Sequence, residues 1–387
     1  MENLATIEGH ELENEYKAGN VVYRKAGLND DESLKVLLRE VSMDSWVRLS
    51  TEHEPSYFDS TELFGNTATI IASDDDLEQS IIGMCSSVSM PVYINGQATD
   101  AGYLGELRVR PEYRHKFSII RNGFKSVQIL NEEHQLLPYW FTSIAKENTA
   151  ARRLLEANLK DMPKYRPCGN NGKSGELVTA AIRSKLGKRS ELLEQAQESD
   201  IPALAGFYQR QNACYQYAPV ISANWLRELN GHNGLSIHDF WLLKENGKIK
   251  AAFAIWDQRN IKQSVVRGYR FPLNVLRTPY NIYARVFGRV PLPAVGDQVN
   301  YIFIAFLSVS DDVEKHTKAI LQSAISQVKT RKARLAMIGL SAKNPIFDIV
   351  EGFSPETYLT CVESVTWPAQ TEQVLDERPV QPEIAIL

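Results

Sequence analysis

The sequence is poor in everything that staples, chelates or anchors a chain. Its 387 residues hold four cysteines, namely Cys85, Cys168, Cys214 and Cys361, and no CxxC pair. That excludes the disulfide framework of a small secreted domain. Seven histidines form no HExxH and no Cys/His cluster, so no metal is expected. GxSxG is missing, and Cys168 beside Pro167 has no evident base, which disfavours hydrolase chemistry. The longest apolar run, Tyr301 to Leu307, is far short of the ~20 residues that span a bilayer. Positive charge is scarce as well. Lys plus Arg number 43 against 47 for Asp plus Glu, a formal charge of −4, so neither a nucleic acid nor a membrane is expected as partner. The N-terminus carries Glu2, Glu8, Glu11, Glu13 and Glu15 where a signal peptide would have a basic and an apolar stretch. Gly169 to Ser174 resembles a phosphate-binding P-loop until Pro167 is found where the first glycine belongs. What is present in quantity is core material, 43% hydrophobic residues, which points to a globular, cytoplasmic protein of two or three domains.

Helix and strand signals alternate along the chain. Val21 to Lys25 reads as a strand, and Leu34, Leu37, Leu38 and Val41 mark a helix that Asp30 or Asp31 can cap. Strands over 67–73 and 80–90 are followed by the hairpin pair Asn95-Gly96, both tolerant of positive φ, and by a strand over 98–109. A helix from Ser118 carries Ile120, Phe124, Val127 and Leu130 on one face. A strand over 140–145 precedes Asn148, which can cap a helix through Ala157. The second half repeats this order with a strand over 190–196, a helix from Ser199, a hairpin at Asn246-Gly247 and strands over 301–309, 335–340 and 356–366. Ala26…Asp30 matches Ala196…Asp200, and Ala145-Lys146-Glu147-Asn148 matches Ala342-Lys343-Asn344. The offset between copies grows from 170 to 196 residues, so a duplication with one insertion in the second copy is expected. Gln263 to Gln298, without helical or strand period, is that insertion. The expected layout is an acidic tail over 1–20, domains over 21–186 and 187–369, and a proline-broken tail over 370–387.

The stretch that carries chemistry is Leu107-Arg108-Val109-Arg110-Pro111-Glu112-Tyr113-Arg114-His115-Lys116-Phe117-Ser118-Ile119. A strand ends at Val109, and basic residues stand just before a helix N-terminus, where unbonded amides and the helix dipole favour an anion such as pyrophosphate. On spacing alone, a solvated basic turn is the better reading.

Leu107, Val109, Pro111, Tyr113 and Arg114, followed after the next strand by Asn148, Ala151 and Leu154, resemble the GNAT superfamily of acyl-CoA N-acyltransferases over nearly all of the first half. The resemblance implies an α/β (α+β) protein of two tandem GNAT-like domains, each a central mixed, mostly antiparallel sheet flanked by helices. It implies transfer of an acyl group, acetyl being the commonest, from acetyl-CoA or another acyl-CoA to a small-molecule or peptide amine by direct attack. Backbone groups at Leu107, Arg108 and Val109 would hold the pantetheine. Arg114, His115, Lys116, Phe117, Ser118 and Ile119 would hold the pyrophosphate, with Asn148 as the other motif position. Glu106 is the candidate base for the acceptor amine, with Glu62 or Asp59 as weaker alternatives.

The departures are specific. Phe117 and Ile119 stand where the family has small loop residues that let amides approach phosphate, Leu155 stands where many members have a proton-donating Tyr, and Asn158 stands near a helix-ending Gly. In the second half Asn344…Gly352-Phe353 keeps the family's helix ending, but Ser310-Asp311-Asp312 replaces the basic loop. Two carboxylates there would repel a pyrophosphate, so this half is expected to bind no CoA. The insertion, with Arg267, Arg270, Arg277, Arg285 and Arg289 among Tyr269, Phe271, Tyr280 and Tyr283, would cover the acceptor cleft or form a homo-oligomer contact. Two other readings stay open: a non-catalytic binding protein of this fold, and an aminoacyl-tRNA-dependent transferase.

Overall fold

A computed structural model describes residues 15–42, 46–61, 64–77, 80–130, 137–157, 159–168, 175–189, 192–229, 231, 233–287, 289–310, 313–368 and 370–387. Glu62, Asn158, the Gly169 to Ser174 turn, His10, His134, His232 and the pair Asp311-Asp312 lie outside these residues.

The first half builds antiparallel strands in chain order: β1 (Glu15–Ala18), β2 (Val21–Lys25), β4 (Asn66–Asp74), β5 (Ser80–Ile94) and β6 (Gln97–Val109). Residues 15–18 therefore do not belong to a tail; they pair with β2 from Glu15↔Arg24 to Ala18↔Val21. The β5–β6 hairpin turns at Asn95 (φ 50°) and Gly96 (φ 80°), the two positive φ values that a two-residue turn needs. β7 (Tyr139–Ala145) then joins parallel to β6. Helix α1 (Asp31–Glu40) buries Leu34, Leu37 and Leu38, and helix α2 (Phe117–Leu130) buries Ile120, Phe124 and Val127 against Tyr23, Ile70 and Trp140.

The second half repeats the plan. β11 (Phe240–Glu245) and β12 (Lys248–Trp256) form a hairpin around Asn246-Gly247. β14 (Tyr301–Val309) pairs antiparallel with β12 and parallel with β15 (Leu335–Ser341). Helix α4 (Ile201–Asn212) follows the same turn as α1: the Gly27 amide donates to Asp30, and the Gln197 amide to Asp200. The long helix over Val313–Thr330 packs Ile320, Leu321, Ala324 and Val328 on Ile302, Ile304 and Ile338.

The halves are not separable beads. β16 (Glu356–Thr366), last in the chain, lies between β7 and β9 (Gly175–Arg183), antiparallel to both, and β9 pairs with β15. One 14-stranded sheet results, parallel only at β6–β7 and β14–β15 among the described pairs. It is the mixed, mostly antiparallel, helix-flanked sheet expected of tandem GNAT-like domains.

Two expectations need correction. Residues 370–387 are not a loose tail: Val380 and Ala385 are buried, and Gln373 donates to the Trp140 and Val365 carbonyls. The prolines prevent a helix there but not burial of the apolar side chains between them. The insertion also has regular structure. β13 (Gln263–Tyr269) pairs antiparallel with β3 (Val47–Glu52) of the first half, and a helix spans Leu273–Val286.

Candidate active site

The site begins with a β-bulge. Met84 pairs with Arg108 and Ser86 with Gly105, so Glu106 and Leu107 together face the single residue Cys85. Glu106 takes up φ 50°, a conformation that L-residues rarely adopt. Pairing of β6 with β7 runs over Ala101–Leu104 only. The bulge thus marks the point where the two parallel strands separate, leaving Gly105 to Val109 without a partner in β7.

The Glu106 side chain turns into a built polar cluster. Its carboxylate accepts from Tyr57 Oη at 3.0 Å and Ser86 Oγ at 3.4 Å, and lies 3.0 Å from His53 Nε2. His53 and Tyr57 are buried, and the other His53 nitrogen meets Ser60 Oγ. Tyr57 also bonds Thr69 and Ser86; burial and the Glu106 charge hold its phenol well above the ordinary range. Burial alone would raise the Glu106 pKa, but the imidazole of His53, followed by Lys262 and Arg108, holds it well below the usual carboxylate range. A carboxylate so stabilised as an anion is a poor proton acceptor.

Lys262 reaches this cluster from the second half. It precedes β13, and its Nζ donates to the Leu387 main-chain oxygen at 2.6 Å. Burial lowers its pKa, partly opposed by the negative charge of Glu106. Beside it Gln263 bonds the Glu54 amide and carbonyl, both at 3.0 Å. Glu52 is held by Arg267 and, at 3.5 Å, by Arg39. Sequence reasoning missed His53, Tyr57 and Lys262, because none stands in a motif; only the folding of the insertion onto β3 brings Lys262 here.

Behind the bulge lies a narrow apolar cleft between the sheet and α2. Tyr23, Ile70, Met84, Leu107, Val109 and Phe124 line it, and Gly123 of α2 leaves it open. Cys85 is on its wall, but burial pushes the thiol up to about 12, so it is no nucleophile at neutral pH.

The basic turn stands just before the N-terminus of α2. Arg114, His115, Lys116, Phe117 and Ser118 are exposed. Arg114 Nε donates to the Val109 carbonyl at 3.1 Å, and the Lys116 ammonium lies 4.8 Å from the centre of the Tyr113 ring. The amides of Arg114, Lys116 and Ile119 are bonded to the carbonyls of Pro111, Tyr113 and Lys116. This narrows the expected anion cradle to His115, Phe117 and Ser118; Ile119 is buried and lines the cleft. Asn148 is the N-cap of helix α3 (Thr149–Leu155), its side chain accepting from the Ala151 amide at 3.1 Å. Asp59 is exposed. Among the described residues no group of three His, Cys, Asp or Glu side chains could hold a metal ion.

The second half carries the same bulge. Phe306 and Leu307 face Phe253, with φ 55° at Phe306, and parallel pairing with β15 stops at Phe303. Here the bulge amide is occupied from within the chain: Phe306 N donates to Glu383 Oε2 at 2.6 Å, and Ala385 N to Oε1 at 3.1 Å. Burial pushes the Glu383 carboxyl up to about 7.

No family model and no curated protein matches the sequence. Solved structures do match in fold. Saccharomyces cerevisiae N-myristoyltransferase with bound myristoyl-CoA is similar over 95% of this chain and 90% of its own, with a TM-score of 0.57 at 10% identity. A second structure of that enzyme with bound myristoyl-CoA covers 95% and 85%, with a TM-score of 0.59 at 10% identity. A GCN5-related glucosamine N-acetyltransferase region of a fungal multi-domain GH3 β-N-acetylglucosaminidase covers 90% of this chain and 38% of its own, with a TM-score of 0.56 at 12% identity. The bulged strand, the separating parallel pair and the repeat of both are thus embedded in a fold shared with these N-myristoyltransferase and N-acetyltransferase structures.

Proposed function

We propose that this chain is an acyl-CoA-dependent N-acyltransferase in which the first half, residues 21–186, binds the donor. The observation that carries the reading is the bulge at Glu106-Leu107, set between an apolar cleft and a basic helix start. Pantetheine would lie along Leu107 to Val109, where β6 leaves β7, and pyrophosphate at His115, Phe117 and Ser118 with charge from Arg114 and Lys116. The acyl chain would enter the cleft, whose apolar walls suit a donor longer than acetyl; the yeast N-myristoyltransferase structures with bound myristoyl-CoA accord with that. The Phe306 amide, donating to a carboxylate oxygen, suggests what the matching bulge amide of the first half would do, namely donate to the thioester carbonyl oxygen as it gains charge.

The acceptor amine would attack the thioester carbon, forming the amide C–N bond as the C–S bond breaks. Lys262, whose ammonium form burial disfavours, is the group best suited to take the amine's proton and return it to the departing CoA thiolate. Glu106 would act as a positioning residue that orients His53 and faces Lys262. Residues 187–369 would bind no CoA, since the chain's own Glu383 occupies their bulge.

Calorimetric titration with acyl-CoAs, followed by thiol release with an amine panel, tests this reading. Lys262→Met should lower turnover about 100-fold while donor affinity stays within about twofold, and Lys262→Arg should not restore the pH profile. Unchanged turnover in Lys262→Met would remove the assigned base. Tight donor binding without thiol release would instead favour a non-catalytic binder, as the bulky Phe117 at the loop also does.

A further inference from the structure

The helix over Leu273–Val286 (α6) is turned the wrong way round for a surface helix. Of its residues only Ala284 is buried. Val275, Pro279, Ile282 and Val286 form an outward stripe at i, i+4, i+7 and i+11, and Val275, Ile282 and Val286 are 65%, 60% and 71% exposed. Phe271 and Phe287 extend the stripe at either end. The inner side is the polar one: Asn281 Nδ2 donates to the Leu292 carbonyl and its Oδ1 accepts from the Leu292 amide, while Arg277 Nε donates to the Pro293 carbonyl. The helix is therefore fixed by hydrogen bonds to its own return loop, so its apolar face is not turned out for want of a polar alternative.

The charge around that face has one sign. Residues 263–298 contain five arginines and one acidic residue, Asp297, in a chain of net charge −4. Arg285 and Arg289 are exposed beside the stripe, and Arg277 stacks 5.8 Å from the Tyr269 ring. A two-fold contact with a second copy would bring these like-charged rims together, whereas an apolar stripe with aromatic ends and an arginine border matches the headgroup boundary of an anionic bilayer. We infer that α6 is a peripheral docking surface for an anionic membrane. No described helix is long and apolar enough to cross a bilayer, and none is required: the helix lies in the interface plane. The inference does not depend on the acyltransferase reading.

Co-sedimentation of the full chain with vesicles tests it. Vesicles of phosphatidylcholine containing about 30% phosphatidylserine should bind the protein, neutral phosphatidylcholine at least about tenfold less, and added salt should weaken binding. The double variant Ile282→Glu/Val286→Glu should lose binding about 100-fold or more with an unchanged far-UV spectrum and thermal midpoint. Arg285→Gln/Arg289→Gln, which leaves the apolar face intact, should abolish the preference for phosphatidylserine. Absence of vesicle binding, equal binding to neutral vesicles, or a wild-type dimer that the double glutamate variant converts to monomer without any lipid affinity would each overturn the assignment.

Discussion

Filling the cleft at Gly123 is the sharpest way to ask whether an acyl chain lies there. Gly123 sits within α2, and a Cβ built on it would come no closer than 4.0 Å to Tyr23 Cε1, so alanine fits without displacement. Since glycine in a helix interior costs about 1 kcal/mol relative to alanine, Gly123→Ala should raise the urea midpoint modestly. Gly123→Leu projects a four-carbon side chain into the same space. If that displaces four methylenes of a bound chain at about 0.8 kcal/mol each, a long-chain donor loses about 3 kcal/mol, roughly 200-fold in Kd. Acetyl-CoA, which does not reach the cleft, should bind as before. The assay is a chain-length series of acyl-CoAs titrated against wild type and both variants, with denaturation curves to establish that each is folded. Equal losses for acetyl-CoA and the longest donor, or no loss for either, would refute the placement of the chain.

Reversing the charge of Arg114 with glutamate, at the N-terminus of α2, should weaken CoA itself by about ten- to 100-fold; an unchanged calorimetric affinity would move the pyrophosphate site elsewhere. Tyr57→Phe removes a hydroxyl shared by Thr69, Ser86 and Glu106, and should lower unfolding free energy by about 1.5–3 kcal/mol. A urea-derived change below about 0.5 kcal/mol would mean that the cluster is not a structural anchor. Glu383 has a folded pKa of about 7 against an ordinary 4.5, so the folded state binds the proton more tightly. Its contribution is full below pH 4.5 and falls as pH rises toward 7, by about 3 kcal/mol in all. Glu383→Gln lacks that titration, so the stability difference between wild type and variant should shift steadily with pH across this window; a constant difference would refute the burial argument.

What the sequence discloses is what local chemistry decides. Asn95-Gly96 and Asn246-Gly247 fix their hairpins because few other pairs accept two positive φ values. The stripe Leu34, Leu37 and Leu38 fixes α1, because one face must be buried. The signature strand and basic turn were readable for the same reason, and both lie where the spacing put them. β3 and β13 were not readable, since each takes its partner from more than 200 residues away and has no period strong enough to stand alone. α6 escaped notice because its apolar stripe faces outward while aromatic and basic residues interrupt it. β9, with Ala180 and Ala181 interrupting its β-branched residues Val178, Thr179 and Ile182, is held by β15 and β16 on its two edges.

The bulge at Glu106 and its counterpart at Phe306 show how one device came to serve two ends. In both halves a strand gains one residue against its neighbour, takes a positive φ, and leaves its parallel partner a few residues earlier. That geometry turns a backbone amide out of the ladder, where it must find an acceptor. In the second half the acceptor is Glu383, supplied by the chain itself, and Val380 and Ala385 bury around it. In the first half the neighbouring side chain is a carboxylate already bonded to Tyr57, Ser86 and His53, and the other half adds the charge of Lys262 within electrostatic range of it. The two halves are therefore structurally interdependent. The second half fills its own bulge with the same C-terminal segment whose Leu387 main-chain oxygen meets Lys262. A substitution that frees Glu383 from Phe306 should for that reason disturb the Lys262–Glu106 cluster as well as the fold of the second half.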